Sequence, residues 1–272
     1  MMNGLLLANV NITSVLIVIA IVAVLAVVFA VLIVTVSKLC AVKEDERISA
    51  VSEHLAGANC GGCGFAGCSD FAKALAEGRA EINDCGATPS SSKEEIAKIL
   101  SIPYSATAET VAVVKCAGGN ACKDKYNYVG INECTAQISF LGGKKLCSSG
   151  CLGEGTCVAT CQNGGITINN GVATIDVSSC ISCGACIKKC PKHIIELIPK
   201  SAKVYVACTT KCRGKDVMSV CSVGCIGCGL CAKNCPNGAI TMIDNLPVID
   251  YEKCSGCKIC ITKCPRKTIK EL

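Results

Sequence analysis

Eight cysteines between Cys225 and Cys264 fall into two copies of one spacing, C-x2-C-x2-C-x3-C-P. The first copy is Cys225, Cys228, Cys231 and Cys235-Pro236; the second is Cys254, Cys257, Cys260 and Cys264-Pro265. Thiolates this close can wrap an iron–sulfur cubane. Three from one run hold one cluster, and the fourth crosses to the neighbouring cluster. The spacing therefore assigns Cys225, Cys228, Cys231 and Cys264 to one [4Fe-4S] cluster, and Cys235, Cys254, Cys257 and Cys260 to another. Sets of four thiolates also hold zinc, but zinc gives no reason for two alternating C-P runs.

Shifting upstream by seventy-four residues reproduces the unit without a gap, from Cys147/Cys221 to Leu197/Glu271. Tandem duplication is the simplest account, and each copy reads as a two-cluster bacterial ferredoxin. In the upstream copy Cys161, Cys180, Cys183 and Cys186 form one set, while Cys151, Cys157 and Cys190 belong to the other. There Glu154 stands where the downstream copy has Cys228. A carboxylate is a poor substitute for a soft thiolate on iron. Two readings stay open. Cys147 can enter as fourth ligand, or the site holds a three-iron cluster or a labile iron bound through Glu154. The stretches "GITINNGVATID" and "AITMIDNLPVID" predict matching hairpins, turning at Asn-Gly and Asp-Asn.

A third cysteine group precedes these units. Cys60, Cys63 and Cys68 lie in a glycine-rich loop, a helix is predicted over Asp70 to Arg79 with Phe71, Ala74 and Leu75 on one face, and Cys85 follows it. Glycine lets the backbone wrap closely around sulfur, so this C-x2-C-x4-C group with its distant fourth cysteine reads as a further [4Fe-4S] site. That makes about five clusters. Seven cysteines remain: Cys40, Cys116, Cys122, Cys134, Cys208, Cys212 and Cys221. Cys116 and Cys208 each end a similar strand-like run, "VAVVKC" and "VYVAC". Except for Cys40, a plain juxtamembrane residue, they stand open between buried thiols and ligands of one or two more clusters.

The elements that must carry these sites are small. The chain has 272 residues and 27 cysteines, but aromatics are only 3% of it. No large core is on offer, and small cysteine-dense units need metal or disulfide staples. Val15 to Val34 is uninterrupted apolar sequence, about 30 Å of helix and the thickness of a bilayer core. No charge precedes it; Lys38, Lys43 and Arg47 follow, among Glu44, Asp45 and Glu46. The basic residues place the cysteine-rich part in the cytoplasm, where thiols stay reduced. The expected fold is α+β: a transmembrane segment (1–37), a small helical cluster domain (38–86), a linker (87–110) and two ferredoxin-like units (111–200, 201–272). In the linker, Ser92 and Glu95 suggest a capping box.

The formal charge of +6 counts thiols as neutral. Each thiolate-bound cubane adds about −2, so five carry the balance to about −4. The basic count is thus no sign of a nucleic-acid partner. His54 and His193 are isolated, and no nucleotide-binding or Ser-His constellation is present. Lys253, Lys258, Lys263, Arg266, Lys267 and Lys270 could steer an acidic partner or form a solvated face.

In order along the chain, the anchor, "CGGCGFAGC" with Cys85, "KDKYNYVGINEC", "SSGCLGEGTC" and the paired runs resemble the B subunit of the Rnf complex, the ion-translocating ferredoxin:NAD+ oxidoreductase of bacterial membranes. The break at Glu154 is part of the likeness, which covers nearly the whole chain. The resemblance implies a single-pass protein of the bacterial inner membrane that accepts electrons from soluble ferredoxin. It also implies companion membrane and peripheral subunits that carry flavins, bind NAD and move Na+ or H+, so that no complete active site resides in this chain. Electrons would enter at a ferredoxin-like unit and leave at the membrane-proximal cluster. A stand-alone membrane-tethered polyferredoxin serving other redox enzymes is the alternative.

Overall fold

An unbroken apolar run with no glycine or proline inside it forms one long helix, α1 (Ile12–Leu39). In this computed structural model, which describes residues 12–39 and 45–272, it is the one helix long and apolar enough to cross a membrane, by length and composition. Cys40, Lys43 and Glu44 lie outside the described residues. The helix belongs to one compact unit and Glu46–Leu272 forms the other.

The second unit begins with a helical domain. Helices α2 (Glu46–His54), α3 (Cys68–Ala76) and α4 (Ser90–Leu100) bury Val51, Phe71, Leu75 and Ile96 around Cys85. Fully burying side chains of this size contributes about 1.5–3 kcal/mol each. Helix α4 was expected inside a linker, yet Ile96 is completely buried in this core. The helix also starts earlier than a cap at Ser92 requires: Pro89 is its N-cap, with no side-chain cap, and Ser92 lies in the first turn. Proline suits a helix start because the missing N–H had no partner there anyway.

Two units of one topology follow. In the first, β1 (Thr110–Val114) pairs antiparallel with β4 (Ile195–Pro199), and β2 (Ile166–Asn169) with β3 (Val172–Ile175). The second pairs β5 (Val204–Val206) with β8 (Ile269–Glu271), and β6 (Ile240–Ile243) with β7 (Leu246–Ile249). Both hairpins turn where the sequence predicts, through positive φ at Asn170–Gly171 and at Asp244–Asn245, as tight hairpins require. The short helices are α5 (Cys134–Ile138), α6 (Thr156–Thr160) and α7 (Ala185–Lys189), then α8 (Gly214–Val220), α9 (Leu230–Lys233) and α10 (Ile259–Lys263), of which α6, α7, α9 and α10 carry cysteines of the runs.

Strand β1 explains how the units join. Successive side chains of a strand face opposite ways. Ala112 and Val114 face Ile166, Ala173 and the cysteines of the first unit. Val111 and Val113 pack with Ile198 and Ala202 against Tyr205 and Tyr251 of the second unit. A strand covered on both faces reads as continuous hydrophobic sequence rather than an alternation, as "VAVV" does.

Candidate metal centres

In the C-terminal unit, Cys225, Cys228, Cys231 and Cys264 line one cavity of about 20 Å³. Cys235, Cys254 and Cys260 sit with Val204, Ile240 and Ile249 in the adjoining core, and Cys257 lies electrostatically close to Cys260. The crossing of Cys264 follows from the fold, since β8 returns beside β5 and brings the end of the second run back to the first. A recurrent contact accompanies these thiols: the backbone N–H two residues on points at the sulfur. Gly227 does this for Cys225, Arg266 for Cys264, Gly153 for Cys151, Ala185 for Cys183 and Phe65 for Cys63. Amides aimed at sulfur stabilise a thiolate and tune the iron it binds. Burial opposes this, pushing Cys151 up to about 12 and Cys157, Cys186 and Cys231 to about 11. Iron must therefore displace a proton from each thiol, which couples cluster insertion to folding. Among the described residues no three Cys, His, Asp or Glu side chains converge tightly enough for a single metal ion. The thiols are spread around cavities, an arrangement suited to a multi-iron cluster.

The interrupted site of the first unit contains a residue that was not expected there. Cys151, Cys157 and Cys190 line a cavity of about 20 Å³ together with Cys134. Cys147 stands apart, with Cys122, Cys116 and Cys208 around its sulfur. The fourth thiol lining this cavity is Cys134, whereas Cys147, expected there, lies with the other group of thiols. The reason lies in what Glu154 does. Its carboxylate accepts a hydrogen bond from Gln137 Nε2 at 2.8 Å and pairs with Lys144 Nζ at 2.7 Å. The Cys134 N–H donates to Thr156 Oγ1 at 2.8 Å. Glu154 thus grips the inserted segment and seats α5, which presents Cys134 in place of the thiol that Cys228 supplies in the other copy. The Glu154 carboxylate is engaged by Gln137 and Lys144, the arrangement of a clamp on the inserted segment. Spacing could not reveal this, because Cys134 arrives from an insertion that obeys no run.

Replacing Glu154 with alanine leaves the fully buried Gln137 amide without its acceptor, a cost of about 1–3 kcal/mol. The variant should lose one cluster in air faster than the unaltered chain, and Glu154→Gln should lie between them. Equal bleaching times for all three would show that this clamp does not hold Cys134.

In the helical domain Cys63 and Cys68 pack against the core that holds Cys85, and Cys85 Sγ accepts a hydrogen bond from Thr88 Oγ1 at 3.2 Å. Cys60 lies near Cys63, and it also lines the cavity of Cys161, Cys180, Cys183 and Cys186. The two groups are in direct contact there. Lys188 Nζ donates to the Gly62 carbonyl at 2.6 Å. Gly62 and Gly86 lie so close to the carbonyls of Cys183 and Ser182 that a Cβ at either position would collide with them.

The basic residues of the C-terminus are partly committed. Arg266 donates to the carbonyls of Cys221, at 2.6 Å, and Gly224. Lys253 pairs with Asp250, and Lys258 with Glu271. Arg266 is thus an internal tie rather than part of a free basic face.

Comparison with known proteins agrees with this geometry. Family models match at residues 55–86 (putative Fe-S cluster), 173–196 (4Fe-4S binding domain) and 224–268 (4Fe-4S dicluster domain). The B subunit of the ion-translocating oxidoreductase complex of Methanosarcina acetivorans is 39% identical over 226 residues, which is 82% of this chain and 86% of that protein. The chain belongs to the B-subunit family of ion-translocating oxidoreductase complexes. The B subunit of the Na(+)-translocating ferredoxin:NAD(+) oxidoreductase complex of Acetobacterium woodii is 39% identical over 220 residues, covering 80% of this chain, and the chain spans 66% of that relative's length. The counterpart from the proton-translocating complex of Clostridium ljungdahlii is 37% identical over 223 residues, 80% of this chain and 78% of the relative. A protein of this family carries iron–sulfur clusters, transfers electrons and works among other subunits. The matched models leave residues 87–172, including the Cys134 segment, to be read from the structure.

Proposed function

We propose that this chain accepts electrons from reduced ferredoxin and relays them within a ferredoxin:NAD+ oxidoreductase complex. The observation that carries the reading is continuity. Cysteine-lined sites adjoin one another from Cys63 and Cys85, through Cys60 and Cys183, to Cys151, within one compact unit. When bound, [4Fe-4S] clusters supply one-electron transfer. The residues of the chain set their spacing and, through burial and amide N–H contacts to sulfur, their potentials.

Five ligand sets are assigned on this basis. They are Cys60, Cys63, Cys68 and Cys85; Cys161, Cys180, Cys183 and Cys186; Cys134, Cys151, Cys157 and Cys190; Cys225, Cys228, Cys231 and Cys264; and Cys235, Cys254, Cys257 and Cys260. Helix α1 anchors the chain in the bilayer. Lys38 in its last turn favours the cytoplasmic side for the cysteine-rich unit. Ferredoxin, an acidic partner in this reading, meets the lysines of the C-terminal unit, and electrons leave by the helical domain.

The test is anaerobic purification of the tagged chain from its native membrane, followed by assay of ferredoxin-dependent NAD+ reduction. Activity together with hydrophobic companion subunits and flavin is expected. A chain that retains its companions but cannot reduce NAD+ would overturn the proposal. One isolated intact and redox-active without companions would favour a tethered polyferredoxin.

A further inference from the structure

Between the two ferredoxin-like units lies a cavity of about 100 Å³, larger than those at the cysteine runs. Cys116, Cys122, Cys147, Cys208, Cys212 and Cys221 reach it, and the five ligand sets use none of them. The remaining lining is mostly apolar, with Leu146, Ala207, Val217, Val220 and Val223. We propose that Cys116, Cys147, Cys208 and Cys221 hold a further [4Fe-4S] cluster at this seam.

Three observations select these four. First, they form two equivalent pairs. Cys147 and Cys221 correspond by the duplication, and Cys116 and Cys208 each follow the first strand of their unit, β1 and β5. Each unit thus gives the same two positions to one seam. Second, all four show the amide contact found at the other ligand sets. Gly118 N–H points at Cys116 Sγ (3.4 Å), and the amides of Ser149, Thr210 and Val223 point at Cys147, Cys208 and Cys221. Cys116 also accepts the Cys151 N–H at 3.4 Å, and Cys208 accepts the equivalent Cys225 N–H at 3.5 Å. Third, thiols from different units share one point. A Cβ placed on Gly118 would lie 3.5 Å from Cys221 Sγ and 3.6 Å from Cys116 Sγ.

The other two thiols differ. Cys122 lies against the sulfurs of Cys147 and Cys221 and receives the Cys147 amide, but it is set apart by turning its own S–H to the Lys123 carbonyl at 3.7 Å and by having no counterpart among the paired positions of the two units. Cys212 is exposed at the rim. The seam itself is built: the backbones of Cys122 and Cys221 bridge, Lys123 N–H donates to Val220 O at 2.9 Å, and Arg266 ties down the Cys221 carbonyl. The contacts from Cys151 and Cys225 place this site between the Cys134 set and the Cys225 set. It joins what would otherwise be two separate cluster pairs.

The inference rests on the iron–sulfur reading of the neighbouring sites, and the test separates the two. Iron and acid-labile sulfide are counted in the full-length chain, purified anaerobically. At four irons per cubane, six clusters give about 24 irons with matching sulfide. Cys208→Ser and Cys221→Ser should each remove about four irons. Their double variant should remove no more than one of them alone. Cys122→Ser should remove none. A count of about 20 with matching sulfide overturns the seam cluster and leaves the five ligand sets standing. Unchanged iron in Cys221→Ser, or loss in Cys122→Ser, overturns this ligand set. Metal without sulfide overturns both readings. Where serine variants fail to accumulate, the count in the unaltered chain decides.

Discussion

Cys134→Ser removes about four irons from the full-length chain, and the loss adds to that of Cys147→Ser. Cys134 shares a cavity with Cys151, Cys157 and Cys190, while Cys147 faces Cys116, Cys122 and Cys208. Thiols of two different clusters give independent losses, as distant sites do in general, so the double variant loses about eight irons. Thiols of one cluster would give about four whether changed singly or together. If Cys147→Ser keeps its iron and Cys134→Ser does not, Cys134 still completes the interrupted set and only the seam cluster falls. The outcome that sinks the assignment is full iron in Cys134→Ser. Anaerobic iron and sulfide determination reads all three variants. The effect should be large because the cluster is much of the local core: the apolar residues around it, such as Val114, Ile194 and Ile195, are few.

Which parts of this were legible in the sequence follows from where each ligand comes from. The paired runs were legible because a helix turn and a short loop fix C-x2-C-x2-C locally, and the hairpins between them announce themselves by Asn-Gly and Asp-Asn. The crossing cysteines, Cys161, Cys190, Cys235 and Cys264, were legible because the run itself encodes the exchange. Cys134 was not. Its place is decided by contacts of Gln137 and Lys144 with Glu154 and of the Cys134 amide with Thr156, and such tertiary hydrogen bonds leave no periodic trace. The signal that was available was chemical: a glutamate where the duplicate has a cysteine must be paired if buried, and its partners lie in the inserted segment. The likeness of "VAVVKC" and "VYVAC" did mark Cys116 and Cys208 as equivalents. It could not say that β4 and β8 would bring both to one seam. Helix α4 reads as spacer because its polar surface outweighs Ile96 and Ala97, the two apolar residues that it buries beside Lys93.

The contact between the helical domain and the first ferredoxin-like unit leads to the last prediction. Gly62 has no positive φ, so its backbone tolerates a side chain. What forbids one is the neighbour: a Cβ would run into the Cys183 carbonyl, and backbone cannot step aside as a flexible side chain can. Gly62→Val therefore forces the domain away from the ferredoxin-like unit. Overpacking of this kind costs about 1–3 kcal/mol, equivalent to about 5–150-fold in the docked population. Iron and sulfide should stay at the level of the unaltered chain, because Cys60, Cys63, Cys68 and Cys85 all lie within the helical domain. Ferredoxin-dependent NAD+ reduction should fall by a comparable factor, since tunnelling between centres requires them to be held close. Lys188→Met removes only the hydrogen bond to the Gly62 carbonyl and should have a smaller effect in the same direction. Turnover of Gly62→Val equal to that of the unaltered chain, at equal iron content, would mean that electrons do not cross at Cys60 and Cys183. The route to the membrane would then leave the chain at the ferredoxin-like units, and the helical domain would serve another purpose.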